Sequence, residues 1–297
     1  MAFSLKNLIG LRRGAEDVAA ALPAMMIEAQ RIAHNIHHGE HAQRKSGMGE
    51  KFWQFRDYAP GDRPQDIDWR QSAKGDHIYT RERELHSTQK TFFWCASDRG
   101  MSYKSRPSLQ TKQECAQILA LALALLTVRG EEQVGAFGDL LTGRSERAVQ
   151  KIGVSFLEHK KEERLPPING FSLPRFSSFV AAGDFLSPIE EIEERFSQLA
   201  VSNVNAVLIQ VLDPSEIYLD FNGRVEFEGM AQSEHETIDY VPSVRETYQE
   251  RLRAHNSALE ALCKKYGWHY ILHRTDTDMG TSLWTLWQNL QSERRSA

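Results

Sequence analysis

The stretch TFFWCASDRGMSYKSRPSLQTKQECAQILALALALLTVRGEEQVGAF, residues 91–137, decides the fold. It opens on an aromatic-rich run, Thr91 to Ala96, of strand length and apolar enough to be buried on both faces. A polar loop follows, and then helix formers from about Lys112 to Val128. Within that helix Ile118 to Val128 is the most apolar run of the chain, about eleven residues where a membrane-crossing helix needs roughly twenty. It reads as a helix buried on all sides. Gln133 to Phe137 is a second strand, so the segment is a βαβ unit, whose strands pair in parallel.

The same alternation continues downstream. A helix over Glu146 to His159 precedes the strand Phe179 to Gly183, and a helix from Pro188 to Ala200 precedes the strand Ala206 to Leu212. Glu216 to Phe227 alternates like an antiparallel hairpin turned at Asn222-Gly223. A long polar helix from about Val244 to Tyr266, a last strand His269 to His273 and a helix Ser282 to Gln291 complete residues 90–297 as a doubly wound, mostly parallel α/β domain. Upstream, residues 1–43 read as a helical arm with apolar positions Val18, Leu22, Met25, Met26, Ile32 and Ile36. Residues 44–89, broken by Gly47, Gly49, Pro60, Gly61, Pro64 and Gly75, read as a small β-rich subdomain.

Composition narrows the function. With 36 basic and 40 acidic residues the net charge of −4 gives no general attraction to phosphate backbones or anionic lipid, so neither nucleic-acid binding nor membrane insertion is expected. Cys95, Cys115 and Cys263 form no regular disulfide framework, and the first residues lack the apolar core and cleavage site of an export signal, so a reducing cytoplasmic setting is expected. The sequence contains no Gly-x-Ser-x-Gly elbow, Walker A loop, dinucleotide-binding glycine turn or His-Glu-x-x-His motif.

In a parallel sheet, ligands collect where strand carboxyl ends meet helix amino ends, which directs attention to the loops after Ala96, Phe137 and Gly183. Asp98, Ser102, Thr142, Ser145 and Asp184 are the hard-oxygen candidates there for a cation such as Mg²⁺, although serines cap turns and helices more often than they bind metal. Asp62, Asp66 and Asp68 form a second acidic group that a metal-dependent hydrolase would use, but turn capping and pairing with Arg56, Arg63 and Arg70 are the stronger reading and explain them without chemistry. His34, His37, His38 and His41 have the spacing of one helix face, with Gly39 interrupting it.

Residues 52–84 also carry a resemblance. Phe52-Trp53-Gln54-Phe55-Arg56-Asp57-Tyr58, Pro60-Gly61-Asp62, Asp68-Trp69-Arg70-Gln71-Ser72-Ala73 and Arg81-Glu82-Arg83-Glu84 resemble the signature of domain-of-unknown-function family 58. The likeness runs on through Met101, Thr111-Lys112, Gly183-Asp184-Phe185-Leu186-Ser187-Pro188 and His273-Arg274-Thr275-Asp276. It implies a von Willebrand factor A-like domain, in which the first strand ends in an Asp-x-Ser-x-Ser-Met metal motif. Anchored on Met101, this chain has Ala96, Asp98 and Gly100 at the Asp, Ser and Ser positions, so a degenerate site with weak or absent Mg²⁺ binding is expected.

The resemblance further implies a non-catalytic adaptor working with a MoxR-type AAA ATPase in protein remodelling or maturation. Docking would centre on Asp98, Ser102 and Asp184, with Met101 and Tyr103 giving apolar contact. The competing reading is a hydrolase built on Asp62, Asp66 and Asp68. Phe55 and Trp69 are expected to be buried, with Arg56 or Arg70 paired to an acid.

Overall fold

The computed structural model describes residues 21–36, 52–58, 67–75, 77–83, 89–139, 141–158, 162–168, 171, 173–228 and 235–294. The chain divides into two compact units, one over Glu40–Thr88 and a larger one assembled from Met1–Gly39 and Gln89–Ala297. In sequence the smaller unit therefore interrupts the larger.

The larger unit is an α/β structure. Strands β3 (Lys90–Cys95), β4 (Gln133–Ala136), β5 (Ser178–Gly183), β6 (Asn205–Leu212) and β9 (His269–Arg274) form one sheet in the order β4-β3-β5-β6-β9. All four pairings are parallel. Thr91 to Phe93 of β3 lie opposite Val134 to Ala136 of β4, as the βαβ reading requires. The central strands are apolar without alternation because both faces of the sheet are covered: β5 is buried along its whole length and β6 everywhere but Asn205. Helices α3 (Lys112–Arg129), α4 (Glu146–Glu158), α5 (Ile189–Val201), α7 (Arg245–Lys265) and α8 (Met279–Arg294) flank the sheet.

Helix α3 starts where its sequence says it should. Thr111 caps it, its hydroxyl accepting from the Glu114 amide while the Glu114 carboxylate accepts from the Thr111 amide. Its residues Cys115 to Thr127 are all buried, and among the described residues no helix is long and apolar enough to cross a membrane. The helix over 21–36, α1, joins the same core through Met25, Met26, Ala29, Ile32, Ala33 and Ile36. Behind β5 an aromatic cluster brings Phe196 of α5 against Phe179, Phe185 and Trp268, at ring separations of 6.3, 6.1 and 6.1 Å.

Two expectations are corrected. The Glu216–Phe227 hairpin does not form. Asp213 and Glu216 instead make a capping box around Pro214, which starts the short helix α6 (Pro214–Tyr218), and the antiparallel pair is β7 (Val225–Glu228) with β8 (His235–Ile238). Second, the segment 141–143 turns back beside β4 through an antiparallel bridge between Val134 and Gly143. The chain leaving β4 therefore returns toward the start of that strand before α4 begins.

In the smaller unit, β1 (Phe52–Asp57) and β2 (Tyr79–Arg83) pair antiparallel, and the one-turn helix α2 (Trp69–Ser72) lies before β2. The Asp68 carboxylate accepts from the Arg70 and Gln71 amides, each at 3.0 Å. The Ser72 hydroxyl donates to the Asp68 carbonyl at 2.7 Å and accepts from the Tyr79 amide at 2.8 Å. This clip turns the flanking side chains outward: Trp69 is 65% exposed, where its size suggested burial. The Phe55 and Arg56 side chains, Gly61, Asp62 and Asp66 lie outside the described residues, as do the side chains of Arg81 and Glu82.

Truncating Phe196 to Ala removes the ring on which this cluster converges and leaves a cavity, at a cost of about 3–5 kcal/mol. Denaturant unfolding of Phe196→Ala, read as a fall in midpoint at constant slope, measures it. His273, wholly buried, has Nδ1 at 2.9 Å from Ser282 Oγ and no hydrogen-bond partner for Nε2 among the described residues. Burial lowers its pKa from the ordinary 6.5 to about 4, against the pull of Asp278 and Asp276. The unfolded chain therefore takes up this proton first as pH falls, so the contribution is intact above pH 6.5 and is lost on acidification toward pH 4. The slope approaches about 1.4 kcal/mol per pH unit. Thermal melts of wild type and His273→Asn between pH 7 and 5 should show a flatter profile for the variant.

Candidate functional site

The chain leaves β3 toward β4 on one side and leaves β5 toward β6 on the other, which makes the carboxyl ends of β3 and β5 the switch point of the sheet. Asp98 follows β3 and Asp184 follows β5. Asp98 caps a short 3₁₀ helix, Arg99–Ser102, with Oδ1 accepting from the Gly100 amide at 2.7 Å and the Met101 amide at 3.2 Å. Its Oδ2 is buried and has no hydrogen-bond partner among the described residues. Burial, reinforced by the nearby Asp184, raises the Asp98 pKa, while those two amides and Lys112 act in the opposite sense.

Asp184 sits in a pinned loop. The Gln210 side-chain amide donates to its carbonyl at 2.9 Å, and the next residue, Phe185, has φ of 48° with its carbonyl 2.7 Å from His255 Nε2. The Asp184 carboxylate accepts from the Leu186 amide through Oδ1 at 3.3 Å and from Lys112 Nζ through Oδ2 at 3.2 Å.

Lys112 is the residue around which this edge is organised, and the sequence reading passed over it. Its side chain is 1% exposed, and Nζ also donates to Glu216 Oε1 at 2.6 Å. Burial opposes its charge, but Asp184 and Glu216 outweigh burial and raise its pKa. Burial also raises the Glu216 pKa, with Lys112 opposing. A lysine at the first position of a helix stands at the positive end of the dipole, where cations are disfavoured. That misfit was the available signal in the sequence.

The loop after β6, also passed over, adds Asp213, Ser215 and Glu216. Asp213 Oδ1 accepts from the Ser215 amide and hydroxyl at 2.9 and 2.8 Å, and Oδ2 accepts from the Ser105 amide at 3.0 Å and the Thr275 hydroxyl at 3.4 Å. Burial works against its ionised form, yet these donors hold its carboxyl below the usual range. The pattern Asp-Pro-Ser-Glu directly after an apolar strand is the legible trace of this loop. The Tyr103 hydroxyl lies 2.9 Å from Ser215 Oγ, tying the loop after β3 to the one after β6.

The loops that hold this charge cluster also carry exposed apolar side chains: Tyr103 and Leu186 are each 37% exposed and Tyr218 is 45% exposed. Tyr218 lies under the Arg274 guanidinium, 5.3 Å from its ring centre, and Arg274 is itself clamped by both oxygens of Asp276. Ser102 is exposed on the same loop as Tyr103, whereas Met101, expected as a surface contact, is wholly buried in the core.

The other candidates lie elsewhere. The Thr142 hydroxyl donates to Gln133 Oε1 at 2.6 Å, at the start of β4, and Gln133 pairs with Lys90 at the start of β3. That is the opposite edge of the sheet, roughly 20 Å from Asp98 at about 3.3 Å per residue. Exposed Ser145 belongs to the same return segment, its carbonyl accepting from the Ala148 amide at the start of α4. The antiparallel return beside β4 is what carries both away. Asp68 caps α2, and His34 lies exposed on α1, while His37, His38 and His41 fall outside the described residues.

The residues at the switch point do not fit a resident divalent ion. Ala96 offers a buried methyl, Gly100 no side-chain oxygen, Asp98 Oδ1 is engaged by two amides, and an ammonium already bridges Asp184 and Glu216. No group of three or more His, Cys, Asp or Glu side chains among the described residues is placed to ligate a metal.

Comparison with known proteins places these loops in context. Uncharacterized proteins of Mycobacterium tuberculosis and Mycobacterium bovis are each 23% identical to this chain over 276 residues, covering 88% of it and 86% of their own length. Residues 54–258, which hold the α2 clip and the loops after β3, β5 and β6, match the family model described as "Protein of unknown function DUF58". With the greater part of its length inside that match, the chain belongs to the DUF58 family.

Proposed function

We propose that this chain is a non-catalytic adaptor of von Willebrand factor A-like architecture that docks a protein partner on the carboxyl edge of its sheet. The observation that carries the reading is the make-up of that edge, where half-exposed Tyr103, Leu186 and Tyr218 stand on the same loops as the buried Lys112–Asp184–Glu216 charge cluster. Tyrosines anchored by a polar contact at one end and open at the other are favoured at protein interfaces. On this reading the partner is a MoxR-type AAA ATPase, the role is remodelling or maturation of other proteins in the cytoplasm, and Mg²⁺ binding at the edge is weak or absent.

Nucleophilic chemistry has little to work with there. Burial raises Cys95 well above the ordinary thiol range and, with nearby acids, pushes Cys115 and Cys263 up to about 12. The Ser215 hydroxyl donates straight to a carboxylate with no histidine between them. The alternative, a hydrolase using Asp62, Asp66 and Asp68, is less well supported because the Asp68 carboxylate caps α2.

The test is affinity capture from native lysate with the partner identified, followed by titration with the purified ATPase. Leu186→Ala should weaken binding roughly tenfold or more at unchanged melting temperature, and Tyr103→Ala should weaken it as much with a small fall in melting temperature from the lost Ser215 contact. Unchanged affinity in both variants would move docking off this edge. Asp184→Ala is unsuited to that purpose, because it leaves Lys112 half-paired in the interior and should cost about 3–5 kcal/mol of stability. Urea unfolding of Asp184→Ala checks that figure.

A further inference from the structure

We infer that Lys112 is a tethered cation that stands in for a divalent metal ion at the switch-point edge, so that the carboxylates there are organised by the chain itself and become a metal site only when this lysine is removed. The inference concerns ion occupancy and needs no partner. Its bearing on docking, that the face works without metal, rests on the function proposed above.

Two carboxylates converge on the Lys112 ammonium, and a third lies on the neighbouring loop. Asp184 Oδ2 and Glu216 Oε1 both receive Lys112 Nζ, at 3.2 and 2.6 Å. Asp98 interacts electrostatically with both Asp184 and Lys112, and its Oδ2 is buried without a hydrogen-bond partner among the described residues. Asp98 itself is 4% exposed, so water does not readily supply that missing bond. Asp213, by contrast, is satisfied by its own donors and needs no cation.

The charge at this edge is under-compensated. One ammonium offsets one carboxylate, while Asp98, Asp184 and Glu216 supply three, and both Asp98 and Glu216 are shifted toward their neutral forms. A divalent ion would offset two. The lysine is nevertheless held in a position where the helix dipole opposes it, and the Thr111–Glu114 capping box fixes the turn from which it reaches inward. Cutting the side chain back would leave Asp184 Oδ2 and Glu216 Oε1 as hard oxygens where the ammonium stood, with the unpartnered Asp98 Oδ2 on the neighbouring loop. Mg²⁺ and Mn²⁺ accept such sets, filling their remaining positions with water.

Purified full-length wild type and Lys112→Ala should be titrated with MnCl₂, following bound Mn²⁺ by electron paramagnetic resonance and melting temperature in parallel, with MgCl₂ as a second probe. Wild type should show no bound Mn²⁺ at this edge and no shift in melting temperature against EDTA. Lys112→Ala should melt lower in EDTA, bind one Mn²⁺ per chain and regain several degrees as the ion binds. Adding Asp184→Asn and Glu216→Gln to it should abolish both effects.

Mn²⁺ binding by wild type that Asp184→Asn removes would overturn the inference, since lysine and metal would then coexist. A folded Lys112→Ala indifferent to Mn²⁺ would overturn it equally. Should Lys112→Ala not fold even with metal, Lys112→Ser keeps both carboxylates and clears the same space, and a folded Lys112→Ser indifferent to Mn²⁺ would overturn the inference in the same way. None of these readouts involves a partner, so failure of the docking proposal leaves them intact, and their failure leaves Tyr103 and Leu186 to be judged on their own.

Discussion

Helix α3 has no face that water touches over most of its length. Every residue from Cys115 to Thr127 is buried, so the helix is stable only if structure surrounds it completely. The sheet covers one side through β3, β4, β5 and β6, and α4 and α8 lie against the other. Each large side chain so enclosed contributes about 1.5–3 kcal/mol, which makes this helix the axis on which the larger unit is assembled. Its position also dictates the chemistry at one end. A helix that follows β3 and must lie across the sheet begins at the carboxyl edge, and its first residue is Lys112. The placement of a cation among the acids at the strand ends is thus a by-product of burying α3.

Two kinds of order meet at that edge. The backbone supplies caps for Asp98 and Asp213, using amides that any residue would offer. The side chains supply the long-range ties, such as Tyr103 to Ser215 and Lys112 to Asp184 and Glu216, which join segments 112, 72 and 104 residues apart in sequence. Local caps hold each loop in shape, and the ties hold the loops in register with one another. An edge built in this way presents a preformed surface, which reduces the ordering cost of association.

Elements with a strong period or a long apolar run were legible in the sequence. The strands at Thr91, Gln133, Phe179, Ala206 and His269, and the helices between them, stand within a few residues of where pattern placed them. What escaped was set by contact between distant loops. Asp98 and Asp184 are placed at this edge by strand-end position alone. Lys112 was missed because its role depends on Glu216, a hundred residues away, and Glu216 was hidden inside a segment whose alternation imitates a strand. Thr142 and Ser145 were misassigned because a two-residue antiparallel bridge, too short to leave a pattern, carries them to the other edge. Trp69 shows the reverse error: the residues that hold α2 are the small polar ones, Asp68 and Ser72, and the large aromatic is what they display.

The helix over 21–36 lends its apolar face to the core of the larger unit, yet an entire second unit is encoded before that core continues at Gln89. Helix α8, whose residues Gly280, Thr281 and Trp284 line a cleft with the preceding Asp278 and with Arg31, Ile32, Asn35 and Ile36, begins only at Met279. At translation speeds of about 5–20 residues per second, α1 emerges from the ribosome about 12 to 50 s before that neighbour exists. Until then Ile32 and Ile36 lack the side chains that form the other wall of that cleft, so native closure of the larger unit waits on the synthesis of Met279 and the residues that follow it.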